Sequence, residues 1–137
     1  MVTPGVYDLA AIAITTALAN SAQTPIINLS GMSAANIVAE LLGGTGGTTI
    51  AGIVQTSFDG TVWLDVARFD FNTADSPPAA GKKFCVLQTN AAKAVTGYAA
   101  LAAEGVNDGL LGDRLRAVLT STGTYTDTTL SIRVAVH

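Results

Sequence analysis

The stretch Ile53-Val54-Gln55-Thr56-Ser57-Phe58-Asp59-Gly60-Thr61-Val62-Trp63-Leu64-Asp65-Val66 decides the fold class of this chain. Two runs rich in β-formers flank Asp59-Gly60, the dipeptide suited to the positive φ angles of a two-residue hairpin turn. The reading is two adjacent antiparallel strands with Gly60 at positive φ. Trp63, the one tryptophan, sits just past the turn.

Working outward, similar patterns recur. Thr128 to Val136 alternates without a break, which places Leu130, Ile132, Val134 and Val136 in a core and Ser131 and Arg133 in solvent. Asp113 to Thr120 alternates too, with Leu115, Ala117 and Leu119 inward and Arg114 and Arg116 outward. Thr61 to Phe71 reads as a long strand, but Val62, Leu64 and Val66 share one face while Phe69 and Phe71 take the other. A period of two cannot switch faces without a bulge, expected near Ala67-Arg68. Lys83 to Thr89 and Thr49 to Ile53 complete the clearer strands, while Ser33 to Leu42 fits either a helix capped at Ser33 to Asn36 or a strand, and the strand is preferred because a Gly-rich loop and another strand follow. Gly43 to Thr48 is expected to be a flexible connection, because a phosphate-binding loop would end in Gly-Lys-Ser/Thr and lead into a helix.

The remaining segments are less regular. Tyr7 to Thr15 reads as a strand with a bulge rather than a short helix, with Leu9 opposite Ile12 and Ile14. Thr24 to Leu29 reads as a short strand at an edge or strand start, given Pro25. Ala94 to Ala103 fits either a helix or a strand. Met1 to about Tyr7, with Pro4-Gly5, reads as a short N-terminal arm. Eight or nine short strands with turns every ten or so residues make an all-β protein. The expected architecture is one antiparallel β-sandwich domain over residues 1–137, jelly-roll-like with Greek-key connections.

Composition narrows the function. The 137 residues are 49% hydrophobic and 12% charged, against roughly a quarter charged in ordinary domains, so Thr, Ser, Asn, Ala and Gly must cover much of the surface. Such a surface suits a subunit packed in an assembly. The net charge is -3 and the densest basic run is Lys82-Lys83, too little positive field for a nucleic-acid partner. Leu9 to Ala13 is too short for a membrane span and lacks preceding basic residues, so neither a membrane nor an export signal is expected. Cys85 lies in an apolar run and reads as a buried, inert thiol; with one cysteine no internal disulfide forms, which favours assembly in a reducing cytoplasm.

Reactive constellations are not apparent. The one histidine is His137, too poorly held at the last position for a nucleophile–base pair. Asp59, Asp65, Asp70 and Asp75 lack calcium-loop spacing, and one Cys and one His do not make a zinc site. No enzyme activity, cofactor or metal is expected. Trp63 has two readings, a core anchor alongside Phe69 and Phe71 or a sugar-stacking platform with Tyr7, Tyr98 or Tyr125. The anchor is preferred.

The segment Gln55 to Phe69, with Gly109-Leu110-Leu111-Gly112-Asp113-Arg114-Leu115-Arg116, Thr120 to Thr124 and Thr128 to His137, resembles small virion structural proteins of tailed bacteriophages. The resemblance spans roughly the last ninety residues and carries over no catalytic residue. It implies a viral structural protein of the virion, a capsid decoration (cement) protein on the capsid surface or a tail component. The implied partner is the major capsid protein lattice. Self-association is expected as well, as a homo-oligomer such as a trimer on a capsid symmetry axis. The Ser-x-Asp-Gly-x-x-Trp core also resembles discoidin-like sandwiches, which implies a carbohydrate-binding module on a tail or fibre as the alternative. On the first reading Gly60 and Trp63 are structural, while Pro4, Gly5 and Tyr7 belong to an attachment arm.

Overall fold

The computed structural model describes residues 3–71, 81–90 and 99–137. Its strands are β1 (Gly5–Ile14), β2 (Leu18–Ala22), β3 (Ala34–Leu42), β4 (Thr45–Gly46), β5 (Thr49–Ser57), β6 (Leu64–Phe71), β7 (Gly81–Gln88), β8 (Arg114–Thr122), β9 (Tyr125–Thr126) and β10 (Thr128–Val136). The first sheet has the order β1-β10-β3-β7 and the second β2-β8-β5-β6, with β4-β9 as a small third ladder. Every pairing is antiparallel. The expected all-β sandwich is what the chain forms. Among the eight long strands, the first pairs with the last, the second with the seventh, the third with the sixth, and the fourth with the fifth. The chain is thus a long two-stranded ribbon folded over so that its two layers face each other.

The core lies between the layers. Ile37, Leu41, Leu87, Leu130, Ile132 and Val134 enter it from the first sheet. Ile50, Val54, Phe69, Phe71, Leu115 and Leu119 meet them from the second. The strands with clean alternation, β8 and β10, bury the side chains their pattern assigns inward. One glycine eases the fit: a Cβ on Gly52 would stand 2.8 Å from Ile132 Cδ1 across the sandwich, so the end of that isoleucine would have to shift. The missing side chain on β5 is the recess into which β10 presses its isoleucine.

Two bulges resolve the irregular patterns. The register of β1 against β10 shifts between Asp8 and Ala10, so both Leu9 and Ala10 are buried. Leu9 therefore does not stand opposite Ile14, as strict alternation required; both are core residues. In β6 the register moves from Val54↔Ala67 to Gln55↔Asp65, which makes Val66 the extra residue. The expected face switch is real but lies one residue earlier than Ala67-Arg68. It lets Val66 and Ala67 both join Phe69 and Phe71 in the core.

Several expectations are corrected. The central turn is not a two-residue one, because β5 ends at Ser57 and β6 starts at Leu64. Gly60 has φ 81 as expected, but Asp59 is not at positive φ. Asp59 instead caps a wider loop, its Oδ1 accepting from the amides of Thr61 at 2.8 Å and Val62 at 2.9 Å. Side-chain capping outcompetes the tight turn. Thr24 to Leu29 is not a strand; it makes a single bridge, Ile26↔Leu115, and Asn28 at φ 64 breaks any ladder. The strand of that region is β2, held by Ser121 Oγ, which accepts from the Leu18 amide at 3.0 Å. The Gly43 to Thr48 connection is packed rather than loose. It contains β4, and Tyr125 behind it is buried with its hydroxyl 2.7 Å from the Thr49 carbonyl oxygen. Of the Ala94 to Ala103 segment, residues 94–98 fall outside the described residues, and residues 99–103 form neither helix nor strand.

Truncation of the cross-sheet contact tests this packing. Ile132→Ala should destabilise by about 2–5 kcal/mol, read as a lowered denaturation midpoint. Gly52→Val should be worse tolerated than Gly52→Ala, because the δ-methyl of Ile132 can rotate away from one added carbon but not from three. Equal midpoints for the two Gly52 variants would show that the recess is not filled from β10.

Candidate interaction surface

The outer face of the first sheet is built by registers that line up four side chains at a time. One row runs Val6, Ala135, Asn36, Val86. The next runs Asp8, Arg133, Val38, Phe84, and the third Ala11, Ser131, Glu40, Lys82. These positions alternate with buried ones, so they face away from the core. Five large apolar side chains are exposed here: Val6, Val38, Leu42, Phe84 and Val86. Phe84 is 80% exposed. An apolar face on the outside of an antiparallel sheet is unusual, since that face normally carries polar residues. Its charges neutralise each other within the sheet, Asp8 with Arg133 at 3.2 Å and Glu40 with Lys82 at 3.1 Å.

A second apolar feature is the tip of the β5–β6 loop, where Phe58 and Val62 are 63% and 59% exposed. Ser57 and Asp59 hold this tip. Ser57 Oγ accepts from the Gly60 amide at 2.8 Å, and the backbone amides of Val62 and Thr61 hold the Asp59 carboxyl below the usual carboxylate range. Gly60 is favoured by its φ, and a Cβ there would stand 2.9 Å from Arg114 Nη1, so the guanidinium would have to shift.

Trp63 is not the core anchor expected of it. It is half-buried and lies outside the core cluster. The wider loop releases it from the β6 ladder, so it never shares a face with Phe69 and Phe71. The Arg116 guanidinium sits 4.1 Å from the centre of its ring. Burial lowers the Arg116 pKa from its ordinary value. Arg116 Nε also donates to Gln55 Oε1 at 2.9 Å, and Gln55 Nε2 donates to Asp65 Oδ1 at 2.8 Å. This polar row crosses three strands on the outside of the second sheet. The tyrosines proposed as fellow platforms do not gather there. Tyr125 is in the core, Tyr7 is on β1 of the other sheet, and Tyr98 lies outside the described residues.

The expected arm is shorter than its reading. Gly5 and Tyr7 belong to β1, with Gly5↔Val136 and Tyr7↔Val134 in register, because the paired strand β10 supplies a ladder that Pro4-Gly5 alone does not advertise. Pro4 precedes the strand and is exposed. The Tyr7 hydroxyl donates to the Thr3 carbonyl oxygen at 2.6 Å.

The open side of the sandwich is latched by charge. Arg68 pairs with Asp70 at 2.9 Å and donates to the Leu101 carbonyl oxygen at 3.2 Å. The Asp70 hydrogen bond raises the Arg68 pKa. Gly105 and Asn107 add backbone bonds to the free edge of β6, at Arg68 and Val66. Lys83, pointing inward from the edge strand β7, bonds to Glu104 and to the Asp70 carbonyl oxygen, joining the two sheets. Inward charges of this kind protect an edge against unwanted pairing. Among the described residues no group of three His, Cys, Asp or Glu side chains could hold a metal ion. Cys85 is half-buried against the core, and its thiol is pushed up to about 11, chiefly by burial.

The exposed apolar face was missed by sequence reasoning, although a signal was present. In Ile37-Val38-Ala39 and Phe84-Cys85-Val86 both alternating sets are apolar, which marks strands covered on both faces.

Two outcomes follow. Gly60→Ala should destabilise by roughly 1–2 kcal/mol from the left-handed backbone alone, with a further loss from the displaced Arg114, measured by urea denaturation. Cys85 should react with iodoacetamide far more slowly in the folded protein than in urea at pH 8. Between pH 9.0 and about 11 the unfolded thiol ionises first, so the contribution of Cys85 to stability falls as pH rises through that window. Equal alkylation rates at pH 8 would show that the thiol is not shielded.

No protein-family model matches the chain, and no curated protein or solved structure matches it.

Proposed function

We propose that the chain is a non-enzymatic structural protein of a tailed-bacteriophage virion, a capsid decoration protein that binds and stabilises the shell of major capsid protein. The observation that carries this reading is the presence of two separate exposed apolar surfaces on one small domain, the outer face of the first sheet and the Phe58–Val62 tip. A subunit in a lattice needs contacts with more than one neighbour. The segments that resemble phage structural proteins fall on β5, β6, β8 and β10 and the loop tip, so they frame the sandwich and supply its second apolar surface. We also read the nested strand pairing as a jelly roll, a fold of capsid and lectin domains alike.

A second reading is supported by Trp63. The indole is part-exposed beside Arg116, Gln55 and Asp65, side chains of the kind that bind sugar hydroxyls around a stacking ring. Arg116 already covers one face of the ring, which leaves a smaller platform than an open tryptophan provides.

Cosedimentation with particles that lack the protein separates the two. The full chain should bind, and bound particles should rupture at a higher temperature. Phe58→Asp with Val62→Asp should weaken binding at least tenfold with an unchanged melting curve of the free protein. Removing residues 2–4 should leave that curve unchanged as well, since the ladder starts at Gly5. A chain that binds no particle but retains a glycan on an array, with loss of binding in Trp63→Ala, would replace this reading with the carbohydrate one.

A further inference from the structure

We infer that Asp108-Gly109 is a site of spontaneous main-chain rearrangement, at which the Asp108 carboxyl closes onto the Gly109 amide as a succinimide and reopens as isoaspartate. The inference stands apart from the virion reading. The chain contains two Asp-Gly dipeptides, Asp59-Gly60 and Asp108-Gly109. A glycine after aspartate leaves its amide unshielded by a side chain, so both are candidates by sequence. Both aspartates are exposed, and both glycines have positive φ, 81 at Gly60 and 87 at Gly109. Neither solvent access nor the glycine backbone separates the two.

Hydrogen bonding does. At the first dipeptide both reacting groups are engaged elsewhere. The Gly60 amide donates to Ser57 Oγ at 2.8 Å, and Asp59 Oδ1 accepts from the amides of Thr61 and Val62. Those bonds must break before a ring can close. At the second dipeptide the two groups hold each other. The Gly109 amide donates to Asp108 Oδ1 at 2.8 Å, so its nitrogen lies against the carboxyl whose carbon it attacks. Cγ is one bond beyond that oxygen, which keeps the pair close to the roughly 3–3.5 Å of a near-attack arrangement. The Gln88 amide donates to the same Oδ1 at 2.7 Å and fixes the carboxyl in this pose.

The reaction needs only water. The carboxyl reacts in its protonated form: the Gly109 nitrogen bonds to Cγ, and its proton leaves with the carboxyl hydroxyl as water. A water molecule then opens the five-membered ring. Cleavage between the nitrogen and Cγ restores Asp108. Cleavage between the nitrogen and the Asp108 main-chain carbonyl carbon gives isoaspartate, with the chain running through Cβ and Cγ and the old carbonyl carbon left as a free carboxylate. Composition is unchanged, and the main chain is one carbon longer. The Gln88 amide at the end of β7 thereby loses the side-chain oxygen that caps it.

Peptide mass spectrometry of the full chain stored at pH 6 in heavy-oxygen water tests it, because every ring opening inserts one heavy oxygen whichever bond breaks. In the folded protein, label should enter residue 108 about tenfold faster than residue 59, or more. In guanidinium chloride, where the hydrogen bonds of both turns are lost, the two rates should converge. Asp108→Glu keeps a carboxyl but would have to close a six-membered ring, so it should take up no label at that position. Isoaspartate should accumulate at residue 108, and the aged species should exchange its Gln88 amide proton faster than fresh protein does. Equal labelling of Asp59 and Asp108 in the folded chain would overturn the inference, as would a difference that persists unchanged in guanidinium chloride. So would wild-type uptake in Asp108→Glu, or an aged species whose Gln88 amide exchanges no faster.

Discussion

The contact between Ile132 on β10 and the side-chain-free position Gly52 on β5 holds the two layers of this sandwich in register. Ile132 is fully buried, and β10 is flanked in its own sheet by β1 and β3. One strand therefore ties the beginning of the chain, the middle of the first sheet and the centre of the second. Because β10 alternates cleanly, its outward residues are fixed as firmly as its inward ones. Arg133 and Ser131 stand on the outer face because Ile132 and Val134 stand in the core. The pattern of the exposed surface is a consequence of the packing behind it.

Nested pairing makes nearly every ladder non-local. Closing β1 on β10 joins residues more than a hundred positions apart, as Gly5↔Val136 shows. Loop-closure entropy opposes such contacts until the hairpin β5–β6 has formed and the strands beside it have added in turn. The hairpin at the fold of the ribbon is local, and Ser57, Asp59 and Gly60 close it with short-range hydrogen bonds. The ribbon thus has a local start and a distant finish, and the finish holds both of its ends.

One free edge of each sheet is guarded, and the two are handled differently. β6 is covered by backbone bonds from Gly105 and Asn107, and the Arg68–Asp70 pair fixes the covering segment through Leu101. β7 is guarded by Lys83, whose ammonium is drawn inward over the Phe71 ring at 5.3 Å. With β6 and β7 blocked in this way, strand addition at these two edges is disfavoured, and the edges at β1 and β2, the sheet faces and the loop tip remain as the surfaces for partners.

Residue pattern determined the strands β8 and β10, the need for a bulge in β6 and the positive φ of Gly60, because each depends on local sterics and on the two-residue period; β3 fitted a helix as well as a strand. The same pattern also held the apolar outer face, in the doubly apolar runs of β3 and β7, but it could not say which face was inside. Tertiary structure decided what local rules leave open. It drew Gly5 to Tyr7 into a ladder with β10, since an edge strand forms wherever a partner offers unpaired backbone groups. It formed β2 from a run without alternation, held by Ser121 and by Thr120, whose hydroxyl bonds to Asn20 at 3.2 Å. It moved Trp63 out of the core, because Asp59 captured two amides and widened the turn. A side chain's face follows from the sequence only while the ladder around it stays regular; at a bulge, an edge or a capped loop it is set by the groups that distant parts of the chain bring beside it.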